Sequence, residues 1–205
     1  MLYWIGWGLF RLILATLGRW KAVGAENVPE TGGVILAPNH ISYADPPTAG
    51  CGITRKVRFM AKQELFDIPV LGFLIRRVGA FPVHQKTADR AALRKAIELL
   101  EQGEVVCIFP EGTRSLDGEL QKAVPGIGMV ALRSKAPIVP VALIGTNRLL
   151  PPHSFLLHFA RVRTIYGEPL TFDDLHDRGT DREAVEQVGQ RVMAAIAELQ
   201  KSVVS

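Results

Sequence analysis

The chain has 205 residues, 48% of them hydrophobic and 21% charged, which suits one domain with a sizeable core and excludes a disordered polymer. Two cysteines at no ligand-like spacing exclude a disulfide scaffold or a cysteine-built zinc site. A net charge of +4 suits an anionic membrane surface or anionic substrates, while scattered basic residues without a nucleic-acid motif argue against DNA or RNA as a partner.

Residues 1–23 are expected to form an amphipathic, apolar membrane-docking helix, with residues 24–205 as the main domain. Residues 1–10 carry no charged side chain, Arg11 interrupts, and 12–17 resume the apolar run. A spanning helix needs about 20 apolar residues, and an arginine near the bilayer centre costs at least roughly 2.5 kcal/mol. Gly8, Arg11, Ala15 and Gly18 or Arg19 share a narrow face. A helix lying in the interface, with Trp4, Trp7 and Trp20 at the headgroups, fits better than a span. The alternative is a helix packed on the domain's own core. No secretory signal pattern is present, so a cytoplasmic protein, peripheral or monotopic on the cytoplasmic membrane, is expected.

The first chemistry-bearing segment is Asn39-His40-Ile41-Ser42-Tyr43-Ala44-Asp45. Residues 34–37 read as a strand, and Asp45 before Pro46 reads as an N-cap followed by proline at the first helical position. The turn between them can fold the Asp45 carboxylate against the His40 imidazole. Such a carboxylate holds one tautomer and stabilises the imidazolium, leaving the other nitrogen to accept a proton from a hydroxyl. The competing interpretation is a structural histidine beside an ordinary cap. Ser42 lacks the Gly-x-Ser-x-Gly elbow of a hydrolase nucleophile.

A strand at 57–61, a partly helical 66–77 and a strand at 80–83 follow. Residues 88–102 form an amphipathic helix with Leu93, Ile97 and Leu100 facing inward and Gly103 as its stop. Residues 104–109 read as a buried central strand, in which Cys107 is an inert apolar thiol. The strand delivers Pro110-Glu111-Gly112-Thr113-Arg114-Ser115 to the sheet edge where ligands of α/β proteins bind. Gly112 lets the backbone approach a ligand, and Arg114 can grip a phosphate through two parallel hydrogen bonds. Thr113 and Ser115 add hydroxyls, and Glu111 can position Arg114 or accept a substrate hydroxyl. A surface turn with a Glu111–Arg114 ion pair is the plain alternative. No Gly-Lys-Ser/Thr follows, so the loop is not a Walker loop.

A helix at 128–133, a strand at 138–144, a proline-containing loop at 145–160 with an apolar patch at 155–159, and a strand at 161–166 come next. Thr180 or Asp181 caps a last helix with Val185, Val188, Val192, Ile196 and Leu199 inward. The alternation gives an α/β fold class: a single-domain sandwich with a mixed, largely central sheet flanked by helices. His84, His153, His158 and His176 form no metal constellation.

At these two loops the chain resembles the glycerolipid acyltransferases, most closely the 1-acyl-sn-glycerol-3-phosphate acyltransferases. Asn39, His40 and Asp45 match the family's His-x4-Asp block, and 109–115 match its Phe-Pro-Glu-Gly-Thr-Arg-Ser block. Residues 138–143 are similar to its proline-centred strand, and 79–85 to its block of the rough form Gly-x-x-Phe/Leu-Ile/Val-x-Arg, except that Gln85 stands where arginine is usual; Lys86 or Arg90 can substitute for it. Residues 60–65 are similar to the strand whose lysine, here Lys62, faces the substrate phosphate. The resemblance covers about residues 20–170. It implies that His40, oriented by Asp45, deprotonates the sn-2 hydroxyl of a lysophosphatidic acid, which attacks the thioester of acyl-CoA or acyl-carrier protein. Arg114, Lys62 and the Gly112 backbone would hold the phosphate, and no metal or other cofactor would be needed. Other acceptors (another lysophospholipid, or glycerol 3-phosphate), a non-catalytic lipid- or anion-binding module, a serine hydrolase through Ser42 and a covalent route through Cys107 or Cys51 are the competing functions.

Overall fold

The computed structural model describes residues 2–84, 89–152, 154 and 156–202. Seven strands, β1 (Lys21–Val23), β2 (Val34–Pro38), β3 (Val57–Lys62), β4 (Phe81–Val83), β5 (Val105–Cys107), β6 (Ile138–Ile144) and β7 (Arg163–Tyr166), form one sheet in the order β1-β7-β6-β2-β5-β3-β4. All neighbours are parallel except β6 and β7, which are antiparallel, so the sheet is mixed as expected. The helices are α1 (Leu2–Thr16), α2 (Asp45–Cys51), α3 (Gln63–Phe66), α4 (Pro69–Arg77), α5 (Arg90–Glu101), α6 (Pro125–Ser134), α7 (Thr146–Leu149) and α8 (Arg182–Lys201).

The centre of the sheet follows from strand periodicity. In β2 every residue is buried, yet neighbours go to opposite faces. Ile35 and Ala37 join the core under α5, α6 and α8, with Val106, Ile127, Val188, Val192 and Ile196. Val34 and Leu36 join the core under α2, with Ala49, Ile53, Val57 and Val139. An apolar residue at each position is what a strand covered on both sides requires. Helices α6 and α8 meet at Gly128, where a Cβ would stand 2.5 Å from the Val185 carbonyl oxygen.

Helix α1 lies across α2. The Trp7 indole donates to Gly50 O at 3.3 Å, the Tyr3 hydroxyl accepts from Val57 N at 3.0 Å, and Leu14 is fully buried with Ala44, Leu149 and Val162. Burying one leucine contributes roughly 1.5–3 kcal/mol. The opposite face leaves Leu2, Ile5, Leu9 and Leu12 exposed, at the 3-4-3 spacing of one helical stripe. The helix expected over 1–23 ends at Thr16, and Lys21–Val23 is an edge strand on β7. Trp7 and Trp20 are half-buried against the domain, the Trp20 indole donating to the Thr164 hydroxyl, and Arg11 stacks over both rings. The helix thus has two apolar faces, and the domain occupies one. Among the described residues no helix is long and apolar enough to cross a membrane.

Several boundaries differ from expectation for local reasons. Strand β5 ends at Cys107, where the chain turns toward the loop. Helix α6 begins at Pro125, proline being pre-organised for a first turn. Inside the expected loop 145–160 lies α7, and β7 begins at Arg163. Leu199 and the pair Leu93 and Ile97 sit at the margins of the core, whereas Ala92, Ala96, Leu99 and Leu100 bury α5. Gln85, Lys86, His153 and Phe155 fall outside the described residues.

Asp89 caps α5, accepting from Ala91 N and Ala92 N. The His84 amide, with these helix amides and the His84 ring, holds its carboxyl down from 3.8 to about 2. A depressed carboxyl stabilises the fold above its unfolded pKa and loses that contribution as pH falls through the folded value. Asp89→Ala is therefore predicted to cost about 1 kcal/mol near neutrality, and urea unfolding should show the gap from wild type closing between about pH 4 and about pH 2.

Candidate active site

Strand β2 leaves the sheet through Asn39, whose buried side chain imitates one more peptide. Its Nδ2 donates to Leu143 O at 3.0 Å and its Oδ1 accepts from Leu143 N at 2.7 Å. That pair fixes where His40 emerges above the C-terminal edge of the parallel strands.

His40 Nδ1 lies 2.9 Å from Asp45 Oδ2. Asp45 is fully buried, and the same oxygen accepts the amides of Ile41 and Ser42, each at 2.6 Å. With two amide hydrogens already on it, Oδ2 is the acceptor toward the ring, so Nδ1 carries the hydrogen and Nε2 keeps a free lone pair. The expectation that Asp45 caps its helix is corrected here. Ala44 is the N-cap and Asp45 begins the helix, its carboxylate turned back onto the preceding turn, where two amides and the imidazole converge. On its other side the His40 ring stacks on Phe109, centroids 4.0 Å apart and planes 26° apart. The imidazole is wedged in one orientation.

Glu111 ties the two loops together. Its Oε1 accepts from His40 N at 2.8 Å and its Oε2 from Gln121 N at 3.0 Å, while Ser115 N donates to His40 O at 2.8 Å. Glu111 is 3% exposed, and burial pushes its carboxyl above the usual carboxylate range against the pull of the two amides. Both oxygens are thus engaged with backbone, and Glu111 makes no ion pair with Arg114. It braces the two loops and makes no contact that positions Arg114.

The remaining loop residues divide by what they already touch. Gly112 has φ +70°, the left-handed region that glycine enters freely, and its amide donates to Phe109 O at 3.1 Å. Thr113 is exposed. Ser115 is buried, its hydroxyl donating to Asp117 Oδ1 at 2.7 Å and accepting from Gly118 N, so it shapes the turn. The Arg114 guanidinium lies 3.9 Å from the centroid of the Tyr43 ring, a cation–π contact between the two loops. Arg114 Nε is buried without a hydrogen-bond partner. Lys62 is exposed at the end of β3. Because β3 runs parallel to β5 with Phe59 opposite Cys107, Lys62 and the 109–115 loop project from the same sheet edge.

The rival nucleophiles are engaged or protonated. Ser42 Oγ donates to Leu150 O at 2.9 Å and accepts from Ala44 N, bracing the turn. Burial pushes the Cys51 thiol up to about 12 and the wholly buried Cys107 thiol higher still, so neither offers a thiolate at neutral pH. Among the described residues no group of His, Cys, Asp and Glu is placed to hold a metal ion.

Sequence reasoning assigned no role to Phe109 or Tyr43, although both lie inside the quoted segments. It also missed a second histidine and aspartate at the same spacing. His84 Nδ1 lies 3.0 Å from Asp89 Oδ2. There the imidazole is 65% exposed and the carboxylate serves a helix cap. What separates the two pairs is the buried strand and the sheet-pairing asparagine ahead of His40, a difference that spacing alone does not carry.

Residues 19–144 match the family model described as Acyltransferase. A 1-acyl-sn-glycerol-3-phosphate acyltransferase of Bacillus subtilis is 34% identical over 161 residues, which are 78% of this chain and 78% of that protein. The chloroplastic 1-acyl-sn-glycerol-3-phosphate acyltransferase LPAT1 of Arabidopsis thaliana is 32% identical over 151 residues, 72% of this chain but 42% of its own length. The crystal structure of the 1-acyl-sn-glycerophosphate acyltransferase PlsC of Thermotoga maritima aligns with a TM-score of 0.74 and 30% identity, covering 93% of this chain and 76% of that one.

His40→Ala is predicted to lower acyl transfer by about 10²- to 10⁴-fold with unchanged unfolding behaviour. His84→Ala, at the decoy pair, and Cys107→Ala are both predicted to retain wild-type turnover in the same assay.

Proposed function

This chain belongs to the acyltransferase family, and on that premise we propose that it transfers an acyl chain from acyl-CoA or acyl-carrier protein to the sn-2 hydroxyl of 1-acyl-glycerol 3-phosphate, giving phosphatidic acid. The observation that carries the reading is the buried Asp45 carboxylate holding His40 Nδ1, with Nε2 left to accept a proton. His40 takes the hydroxyl proton as the oxygen attacks the thioester carbonyl. The tetrahedral intermediate collapses, the C–S bond breaks, and the imidazolium returns its proton to the departing thiolate. The thioester is already activated, so the cycle needs neither ATP nor a metal.

Arg114 supports the acceptor's identity. It stands on the loop hydrogen-bonded to His40, steadied by the Tyr43 ring, and a guanidinium suits a phosphate monoester. Lys62, exposed on the same edge, adds a second positive charge for it. Gln85, where relatives usually carry arginine, favours keeping a different headgroup as the second reading.

Docking on the cytoplasmic face of the cell membrane belongs to the same proposal. It is supported by the exposed stripe Leu2, Ile5, Leu9 and Leu12 of α1, whose spacing suits a helix lying in the headgroup region.

The test is a panel assay with purified protein, offering several lysolipids and glycerol 3-phosphate with acyl-CoA and with acyl-carrier protein. Phosphatidic acid formed from lysophosphatidic acid ahead of the other acceptors is the expected result; preference for a neutral headgroup, or thioester hydrolysis alone, contradicts it. Arg114→Ala is predicted to lower kcat/KM for lysophosphatidic acid by about 10- to 150-fold, the worth of a hydrogen bond to a charged group, and to narrow the preference for phosphorylated acceptors.

A further inference from the structure

At the C-terminal end of α1, five cations gather on the β1–β7 edge. Arg19, Arg148 and Arg161, with Phe159 and Ala160, line a cleft of about 420 Å³. Arg19, Lys21, Arg161, Val162 and Arg163 line a second of about 270 Å³ beside it. The backbone builds this cluster. Ala160 N donates to Leu17 O and Val162 N to Gly18 O, and Lys21 sits in register with Arg163. Among the described residues none of the five makes an ion pair. The arginines around α8 behave otherwise: Arg178, Arg182 and Arg191 each hold a carboxylate. Arg19 is also one of two described non-glycine residues with positive φ, at +40°. That left-handed residue closes the end of α1, with Trp20 N donating back to Leu14 O, and the turn brings Arg19 to the cluster.

The surroundings identify the anion. Phe159, which lines the first cleft with Arg19, Arg148 and Arg161, is 80% exposed, and α1, which carries the exposed apolar stripe, ends at Thr16, three residues before Arg19. Cations flanked by apolar side chains match the headgroup boundary of a bilayer, with charge at phosphate depth and apolar groups below it. An acidic soluble partner would answer the charge but leave the apolar stripe in water. The cluster also lies at the same end of the sheet as His40. Because β7 is antiparallel to β6, Arg163 lies opposite Ile144 at the end of β6, and β6 neighbours the strand from which His40 emerges.

We propose that this cationic edge binds the phosphate headgroups of anionic phospholipids in a membrane surface, at a place separate from Arg114, and so orients the His40 opening toward the lipid. The inference rests on the docking reading of α1. It is tested by flotation of the full chain with vesicles of phosphatidylcholine alone and with about a third phosphatidylglycerol. Wild type should bind the mixed vesicles more tightly, and salt raised from about 0.05 to about 0.5 M should remove that excess. R148Q/R161Q should lose about 30-fold of its partition into the mixed vesicles, the worth of two basic residues near an anionic surface, and bind phosphatidylcholine as wild type does. Ile5→Asp/Leu9→Asp should lose binding to both. The salt arm reads wild type alone and stands even if a variant misfolds. Equal, salt-independent wild-type binding to both vesicles overturns the inference and leaves docking by α1 intact. Wild-type protein that floats with neither vesicle overturns both. Inorganic phosphate raising the Tm of wild type but not of R148Q/R161Q, with mixed-vesicle binding unaltered, replaces the lipid by a free anion. Retention of acyl-carrier protein that R148Q/R161Q abolishes, again with vesicle binding unaltered, replaces it by an acidic protein.

Discussion

The site depends on one oxygen atom. Asp45 Oδ2 receives the His40 ring and the amides of Ile41 and Ser42 together, and the carboxylate that bears it is sealed from solvent. The amides hold the oxygen as an acceptor, and the acceptor holds the imidazole hydrogen at Nδ1. Removed from water, a hydrogen bond to a charged group of this kind is worth about 1.5–3 kcal/mol, and it sets the direction in which Nε2 faces. The same convergence bends residues 40–44 into the turn that opens α2, so the geometry of the His40–Asp45 pair and the local fold are one structure.

A second constraint makes two loops into one site. The 109–115 loop follows β5 and the 39–45 loop follows β2, adjacent parallel strands that end at the same edge. Adjacency alone would leave the loops free to drift. Glu111 and Ser115 prevent this by hydrogen-bonding to the backbone N–H and C=O of His40. Phe109 and Arg114 then close the contact, one against the imidazole and the other against Tyr43. Under the proposed function, a phosphate on Arg114 would be held in a fixed relation to His40, the positioning on which much of enzymatic rate enhancement rests.

Much of this was legible in the chain because it was written in local signals. The prolines around 38–47 marked a turn rather than a helix through His40 and Asp45, and the continuous apolar run ending at Phe109 marked a central strand. What was not legible were choices between partners of similar chemistry. Asp45 beside Pro46 looks like a helix cap until the converging amides of Ile41 and Ser42 are known. Glu111 looks like a partner for Arg114 until the backbone of His40, distant in sequence, arrives beside it. Residues 1–23 read as one amphipathic helix, yet the domain claims the Trp7, Leu14 and Trp20 side and pairs Lys21–Val23 as a strand, a division that only tertiary contact makes.

The central claim, that Asp45 works through His40, is tested most directly by a double-mutant cycle on turnover. Asp45→Asn keeps an oxygen at the Oδ2 position for the two amides and the ring, but removes the negative charge that stabilises the imidazolium. If the two residues act as one unit, kcat for the doubly substituted protein (D45N with H40A) should equal that of H40A alone, the losses failing to multiply. Losses that multiply, or a D45N enzyme with wild-type kcat, would contradict the account.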